Sequence, residues 1–198
     1  MNHLLNEEQF PAGFLPAWFE ARRRHALEQA EQLPEPSRHM ESWRFGAPGN
    51  ESLEHVEAAP PAALETLAPI IRERASMTEA FRIVYANGLP VSIPEELPEG
   101  LSVMDMEDFV LQCPDTARKY LETETETLGS EKLSALATAF QHNGLVIMAD
   151  REISLPLEIL HFISGDNVAV FPSTLLIAET GSRLRILERH ISADHGRQ

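Results

Sequence analysis

The sequence holds a single cysteine, Cys113, and only two lysines, Lys119 and Lys132, in 198 residues. One thiol cannot close an internal disulfide and gives no thiolate set for a zinc or iron-sulfur site within one subunit. Neither lysine follows a glycine, as a phosphate-cradling loop requires, so autonomous ATP hydrolysis finds no support. The patterns Gly-x-Gly-x-x-Gly, Gly-x-Ser-x-Gly and paired cysteines at metal-ligand spacing are all missing. The eight histidines include no His-x-His and no i, i+4 pair that would set two imidazoles on one strand face or helix face. Positive charge is scarce too. Sixteen basic residues against 31 acidic ones give a formal charge of -15, which repels phosphate backbones and anionic lipid surfaces.

The segment Met1 to Phe10 carries Glu7 and Glu8 where a signal peptide has positive charge followed by an apolar run, so no export signal is read there. The longest uncharged stretch, Leu133 to Ala149, is broken by Gln141, His142, Asn143 and Gly144, well short of a membrane span. With 43% hydrophobic residues the chain can bury a real core. A soluble protein of the reducing cytoplasm is the expectation.

Helical signals dominate the first eighty residues. Pro16 suits a first helical turn, Ala17 to Gln32 contains no Gly or Pro, and Leu33-Pro34-Glu35-Pro36 ends the run. A second helical stretch is expected after Pro60-Pro61, with Leu64, Leu67, Ala68 and Ile71 on one face and Pro69 kinking or restarting it. Trp43-Arg44-Phe45-Gly46 between them reads as an ordered loop. From Phe81 the period changes: Phe81, Ile83 and Tyr85 alternate up to Asn87-Gly88, a strong hairpin signal, and Leu89, Val91 and Ile93 resume the alternation. After the turn Leu97-Pro98-Glu99-Gly100, a strand begins at Leu101-Ser102-Val103. Asp105 then caps a helix that Pro114 interrupts. Ser130 caps a helix with Leu133, Leu136, Ala137 and Phe140 at i, i+3, i+4, i+7, closed by Asn143-Gly144. From Leu145 to Ile191 short strands follow one another, punctuated by Pro156, Gly165, Pro172 and Gly181, as in a stacked or coiled sheet.

Chemistry-bearing residues cluster most at Glu188, His190, Asp194 and His195, because Glu188 and His190 share one strand face. That set could hold a metal, although a solvated tail is the competing reading. Cys113 precedes Pro114 and has no basic residue closer than Arg118, so it reads as a small, partly buried hydrophobe. The run from Glu122 to Thr127 repels itself in a packed sheet and reads as a hydrated connector. Trp43, Arg44 and Phe45 form a candidate partner clamp, with local packing onto the first helix as the alternative. His161, between Leu160 and Phe162, reads as a core or edge histidine.

Several short motifs occur in an order that resembles the N-terminal half of the SufD branch of the SufB/SufD family of iron-sulfur cluster assembly scaffolds. They are Trp18, Arg22 and Ala26; Leu33-Pro34; Ser37-Arg38; and Glu41-Ser42-Trp43-Arg44-Phe45, similar to that family's Glu-x-Trp-Arg-Tyr. Gly46 stands where threonine is usual. Val84-Tyr85-Ala86-Asn87-Gly88, Leu97 to Val103, Ala139-Phe140 with Gly144 to Ile147, Pro156 to Ile159 and Pro172 to Ile177 continue the series. The resemblance implies an α+β fold with three parts: an N-terminal helical region (1–80), a mixed α/β region (81–150) and the first rungs of a right-handed parallel β-helix (151–198). It also implies that the chain covers about half of a family member and acts without catalysis. Its partners would be a SufB-like scaffold subunit and a SufC-like ATPase, and the iron-sulfur cluster would be a product of the assembled complex rather than a cofactor of this chain. Self-association through an open sheet edge is a further expectation. Two other classes stay open: a small metal-dependent β-barrel enzyme using Glu188, His190 and His195, and an acidic interaction domain unrelated to cluster assembly.

Overall fold

The computed structural model describes residues 15–45, 57–59, 64–75, 79–123 and 130–193. The chain divides into two compact units, 1–57 with 107–142 and 58–106 with 143–198, so the helical segment 107–142 groups with the N-terminal helix, and the helical stretch that follows Pro60-Pro61 falls in the other unit.

The first unit is helical. Helix α1 (Ala17–Gln32) buries Phe19, Arg23, Ala26, Leu27 and Ala30, a single stripe at helical spacing. The stripe packs against the helix labelled α5 (Glu131–Ala139), whose own buried residues are Lys132, Ala135, Leu136 and Ala139. Two polar contacts fix the pairing: Arg23 Nε donates to the Ala139 carbonyl at 2.9 Å, and Arg22 donates to Gln141 Oε1 at 2.7 Å. As expected, Ser130 caps α5, its hydroxyl accepting from the Leu133 N–H at 3.3 Å. Between them lie α3 (Met106–Gln112) and α4 (Pro114–Leu121), with Pro114 at the first position of α4, where its missing N–H costs nothing. The Arg118 guanidinium lies 5.0 Å from the Trp18 ring centre.

The second unit is built on two mixed sheets. Ala58 ends β1 (Glu57–Ala58), and the Ala59 N–H donates to Ala169 of β7 (Val168–Ala169). Helix α2 (Leu64–Arg74) runs continuously through Pro69 instead of breaking there. Proline removes only one ladder bond at that point, and Ile70 and Ile71 beside it are packed against the sheet, which offsets the loss. Strands β2 (Phe81–Ala86) and β3 (Leu89–Ser92) form the expected hairpin, with Asn87 and Gly88 at φ +50° and +80°. A left-handed pair of this kind is what Asn-Gly supplies. Asn87 Oδ1 also accepts from the Ser164 N–H at 2.9 Å, anchoring the turn to the following sheet segment.

The remaining strands are β4 (Leu101–Asp105), β5 (Leu145–Ala149), β6 (Leu157–Ile163), β8 (Thr174–Ala178) and β9 (Ile186–Ser192). They order as β3-β2-β6-β9 in one sheet and β4-β5-β8 in the other. The pairs β2/β3 and β4/β5 are antiparallel, whereas β2/β6, β6/β9 and β5/β8 are parallel. Both late parallel pairs share one offset: Leu157 lies opposite Ile186 and Leu145 opposite Thr174, each 29 positions further along. A parallel bridge between Glu152 and Arg183 joins the connecting segments in the same sense. Two successive passes of the chain therefore lie one on the other.

The sheets meet face to face. Ile83, Tyr85, Leu157 and Ile159 from one pack with Leu101, Leu145, Ile147 and Ala149 from the other, all at 5% exposure or less. The opposite face of the larger sheet buries Val84, Ala86, Leu160 and Phe162 under Ile70 and Ile71 of α2. Strand β6 is thus covered on both faces, which explains its nearly unbroken apolar run. Its one charged member, Glu158, is fully buried and accepts from Arg82 Nε at 2.7 Å.

We predict that Ile159→Ala lowers stability by about 2–5 kcal/mol, because it removes a fully buried side chain between two sheets. Leu176→Ala, at a half-exposed position of β8, should change it by less than about 0.5 kcal/mol. Urea unfolding followed by far-ultraviolet circular dichroism measures both; equal effects would contradict the described core.

Candidate functional site

The inner face of the larger sheet is organised in columns set by strand register. Phe81, Leu157 and Ile186 form one, Ile83, Ile159 and Glu188 the next, and Tyr85, His161 and His190 the last. Alternation along each strand keeps all nine on the same side. The columns therefore pass from apolar to polar along the strands, and the polar corner is where chemistry concentrates.

Within that corner His161 Nε2 lies 2.7 Å from Glu188 Oε1, a distance for a charge-assisted hydrogen bond in which the ring N–H donates. The same carboxylate oxygen accepts from the Thr174 hydroxyl at 3.2 Å, so residues of both sheets fix it. The His161 and His190 rings are stacked, with centres 4.7 Å apart and planes 8° from parallel, and the Tyr85 ring lies 5.2 Å from His161 on the other side. One donor atom from each of His161, Glu188 and His190 falls within 4.8 Å of the other two. His161 is buried, whereas a third of the Glu188 side chain is exposed, so the group opens to solvent on one side.

The electrostatics follow from this packing. The hydrogen bond from His161 is the main influence holding the Glu188 carboxyl below its ordinary range, with burial acting against it and the Thr174 bond and both imidazoles adding to it. Burial, and then the neighbouring His161, push His190 below its ordinary value, while Glu188 pulls the other way. Burial and the charges of Asp105 and Glu188 raise the Tyr85 phenol, whose oxygen has no hydrogen-bond partner among the described residues. Two imidazoles, one carboxylate and a nearby phenol can bind a cation or relay a proton.

The structure sets Glu188 and His190 of the sequence-derived group beside a third residue, His161. Glu188 and His190 share a face as expected, but Asp194 and His195 lie outside the described residues. His161, read from sequence as a core or edge histidine, is buried as that reading requires and also contacts both of the others. The signal that would have found it is the interval: it precedes His190 by the same 29 positions that separate the other paired residues.

Elsewhere, Trp43 ends a short 3-10 helix (Glu41–Trp43) with its indole nitrogen buried and lacking a partner among the described residues. Arg44 lies over the Phe45 ring at 5.3 Å, and Phe45 is 94% exposed. Gly46, Pro60-Pro61, Met1 to Phe10 and most of the Glu122 to Thr127 run lie outside the described residues. Cys113 is a free, partly buried thiol between α3 and α4. Among the described residues no helix is long and apolar enough to cross a membrane.

With this geometry in hand, the chain can be set beside known proteins. No protein-family profile matches it. It is similar to SufD, an iron-sulfur cluster assembly protein of Bacillus subtilis (strain 168): the two are 25% identical over 187 residues. The match takes in 89% of this chain but 42% of SufD, so the chain spans less than half the length of that relative.

The depressed imidazole has a definite consequence for stability. Because folded His190 binds its proton less readily than the unfolded chain does, its contribution is complete above the unfolded value of about 6.5 and is lost as pH falls through the lower folded value. Glu188 acts in the same direction below about pH 4.3, since its folded value is also depressed. We predict that in the presence of a chelator the thermal midpoint falls between about pH 7.5 and about pH 5, and falls less in His190→Gln. Identical pH profiles for the two proteins would contradict the described environment of His190.

Proposed function

We propose that this chain works as a SufD-like component of iron-sulfur cluster assembly, acting as a scaffold through protein contacts and not as an enzyme. The observation that carries this reading is the similarity to SufD over 89% of the chain. The colinear motifs from Trp18 to Ile177 likewise extend over most of the chain. The structure offers support of a second kind. Two passes of strand stacked in parallel at a constant 29-residue offset suit the opening coils of a right-handed parallel β-helix, in which each coil pairs with the next.

On this reading the partners are a SufB-like scaffold subunit and a SufC-like ATPase, and the cluster is cargo built by the assembled complex in the cytoplasm. Strands β8 and β9 stand at the edges of their sheets among the described residues, and each offers backbone N–H and C=O groups that another strand can pair with. Further coil, a SufB-like partner or a second copy of the chain would satisfy them alike. The exposed Phe45 beneath Arg44 supplies a second contact point remote from those edges in sequence, on the clamp formed by Trp43, Arg44 and Phe45.

Affinity co-purification tests the proposal. Co-expressed with a SufB-type and a SufC-type subunit from the same source, the tagged chain should retain at least one of them through a size-exclusion column. If a full-length SufD captures the pair under the same conditions and this chain captures neither, the scaffold reading fails.

A further inference from the structure

We propose that His161, Glu188 and His190 form a binding site for one divalent first-row transition metal ion, of the Zn²⁺ or Fe²⁺ class. Tetrahedral coordination at Zn–N distances of about 2.0–2.1 Å places ligand atoms about 3.3 Å apart. Here the His161 and Glu188 donor atoms are already 2.7 Å apart, and no pair in the set is separated by more than 4.8 Å. An ion entering between them needs side-chain adjustments of an ångström or so, with one of the two stacked imidazoles turning so that both in-plane lone pairs converge on it. It would replace the hydrogen bond between His161 and Glu188, the His161 ring carrying its proton on the other nitrogen.

The donor chemistry points the same way. Neutral imidazoles and an ionised carboxylate are the forms that ligate a dication, and the set supplies two of the first and one of the second. Two imidazole nitrogens and one carboxylate oxygen make a donor set suited to Zn²⁺, Fe²⁺ or Co²⁺ and poor for Mg²⁺ or Ca²⁺, which take oxygen.

Two independent features surround the set. Thr174 donates to the ligating carboxylate, which is the kind of outer contact that orients metal ligands. The Tyr85 oxygen is buried, lacks a partner among the described residues, and feels the charge of Glu188. Three protein ligands leave coordination positions for water, and a metal-bound water would give this phenol the hydrogen bond that its burial otherwise denies it. The inference does not depend on the assembly reading. Binding is measured on the isolated chain.

The test is a titration of the full, metal-stripped chain with Co²⁺, followed by its visible absorption bands, and with Zn²⁺ by equilibrium dialysis. One equivalent should bind. His190→Ala and Glu188→Gln, both at partly exposed positions and checked for folding by circular dichroism, should each weaken binding at least about tenfold. His161→Asn should weaken it comparably and separates this site from one made by Glu188 and His190 with the following residues. His25→Ala, at an exposed position of α1, should leave binding unchanged. Absence of stoichiometric binding, or undiminished binding in His161→Asn or His190→Ala, overturns the proposal.

Discussion

The second unit depends on one constraint, the parallel register in which each residue of β6 and β5 faces the residue 29 positions later in β9 and β8. Because two pairs of strands in two sheets share this offset, the connecting turns must take up equal lengths of chain on each pass, and the side chains then fall into columns. A slip of one position in β9 would turn its inner face outward and expose Ile186 while burying Arg189. A slip of two would keep the faces but separate His161 from His190. The polar corner is therefore a product of the same register that assembles the core, and neither can be altered alone.

Two carboxylates on opposite faces of the larger sheet, one buried and one bordering solvent, show how differently such groups can be used. Glu158, fully buried, meets the Arg82 guanidinium at 2.7 Å, an arrangement with permanent charge on the cation. It meets the need of a buried charge for a counter-charge and fixes the outer face of β2 against β6. Glu188 faces His161 and His190 instead, so the charge of its surroundings changes with pH and its donor atoms border solvent. A sheet needing only structural stability is served by the first arrangement; the second adds responsiveness that stability does not call for.

Elements whose signals are local could be read from sequence. The span of α1, the Ser130 cap and the Asn87-Gly88 hairpin all depend on residues within a few positions of one another, and each appears where expected. Pro69 did not restart the helix, because the packing of Ile70 and Ile71 against the sheet offsets the hydrogen bond it removes. Distance in sequence hid the rest. Arg23 of α1 reaches the Ala139 carbonyl 116 positions away, and no periodicity within either helix announces that pairing. Likewise period-2 alternation correctly put Glu188 and His190 on one face, yet it says nothing about which earlier strand lies alongside. The part played by His161 was invisible for that reason. Its neighbours Leu160 and Phe162 are core residues, and only the 29-position interval connects it with His190.

The position of the polar corner also bears on how the stacked strands hold together. A strand paired on two sides is held more firmly than one paired on a single side. Strand β6 has β2 and β9 as neighbours and is buried almost throughout, whereas β9 has β6 alone among the described residues and alternates between covered and exposed positions. His161 belongs to the first of these strands, Glu188 and His190 to the second, and Thr174 to the facing sheet. Anything bound by the three side chains therefore bridges a firmly held strand to a weakly held one, and its binding free energy adds to their pairing because the unfolded chain offers no such arrangement. The same contacts that hold a ligand would hold the last described strand in register, which joins recognition and folding at a single corner of the sheet.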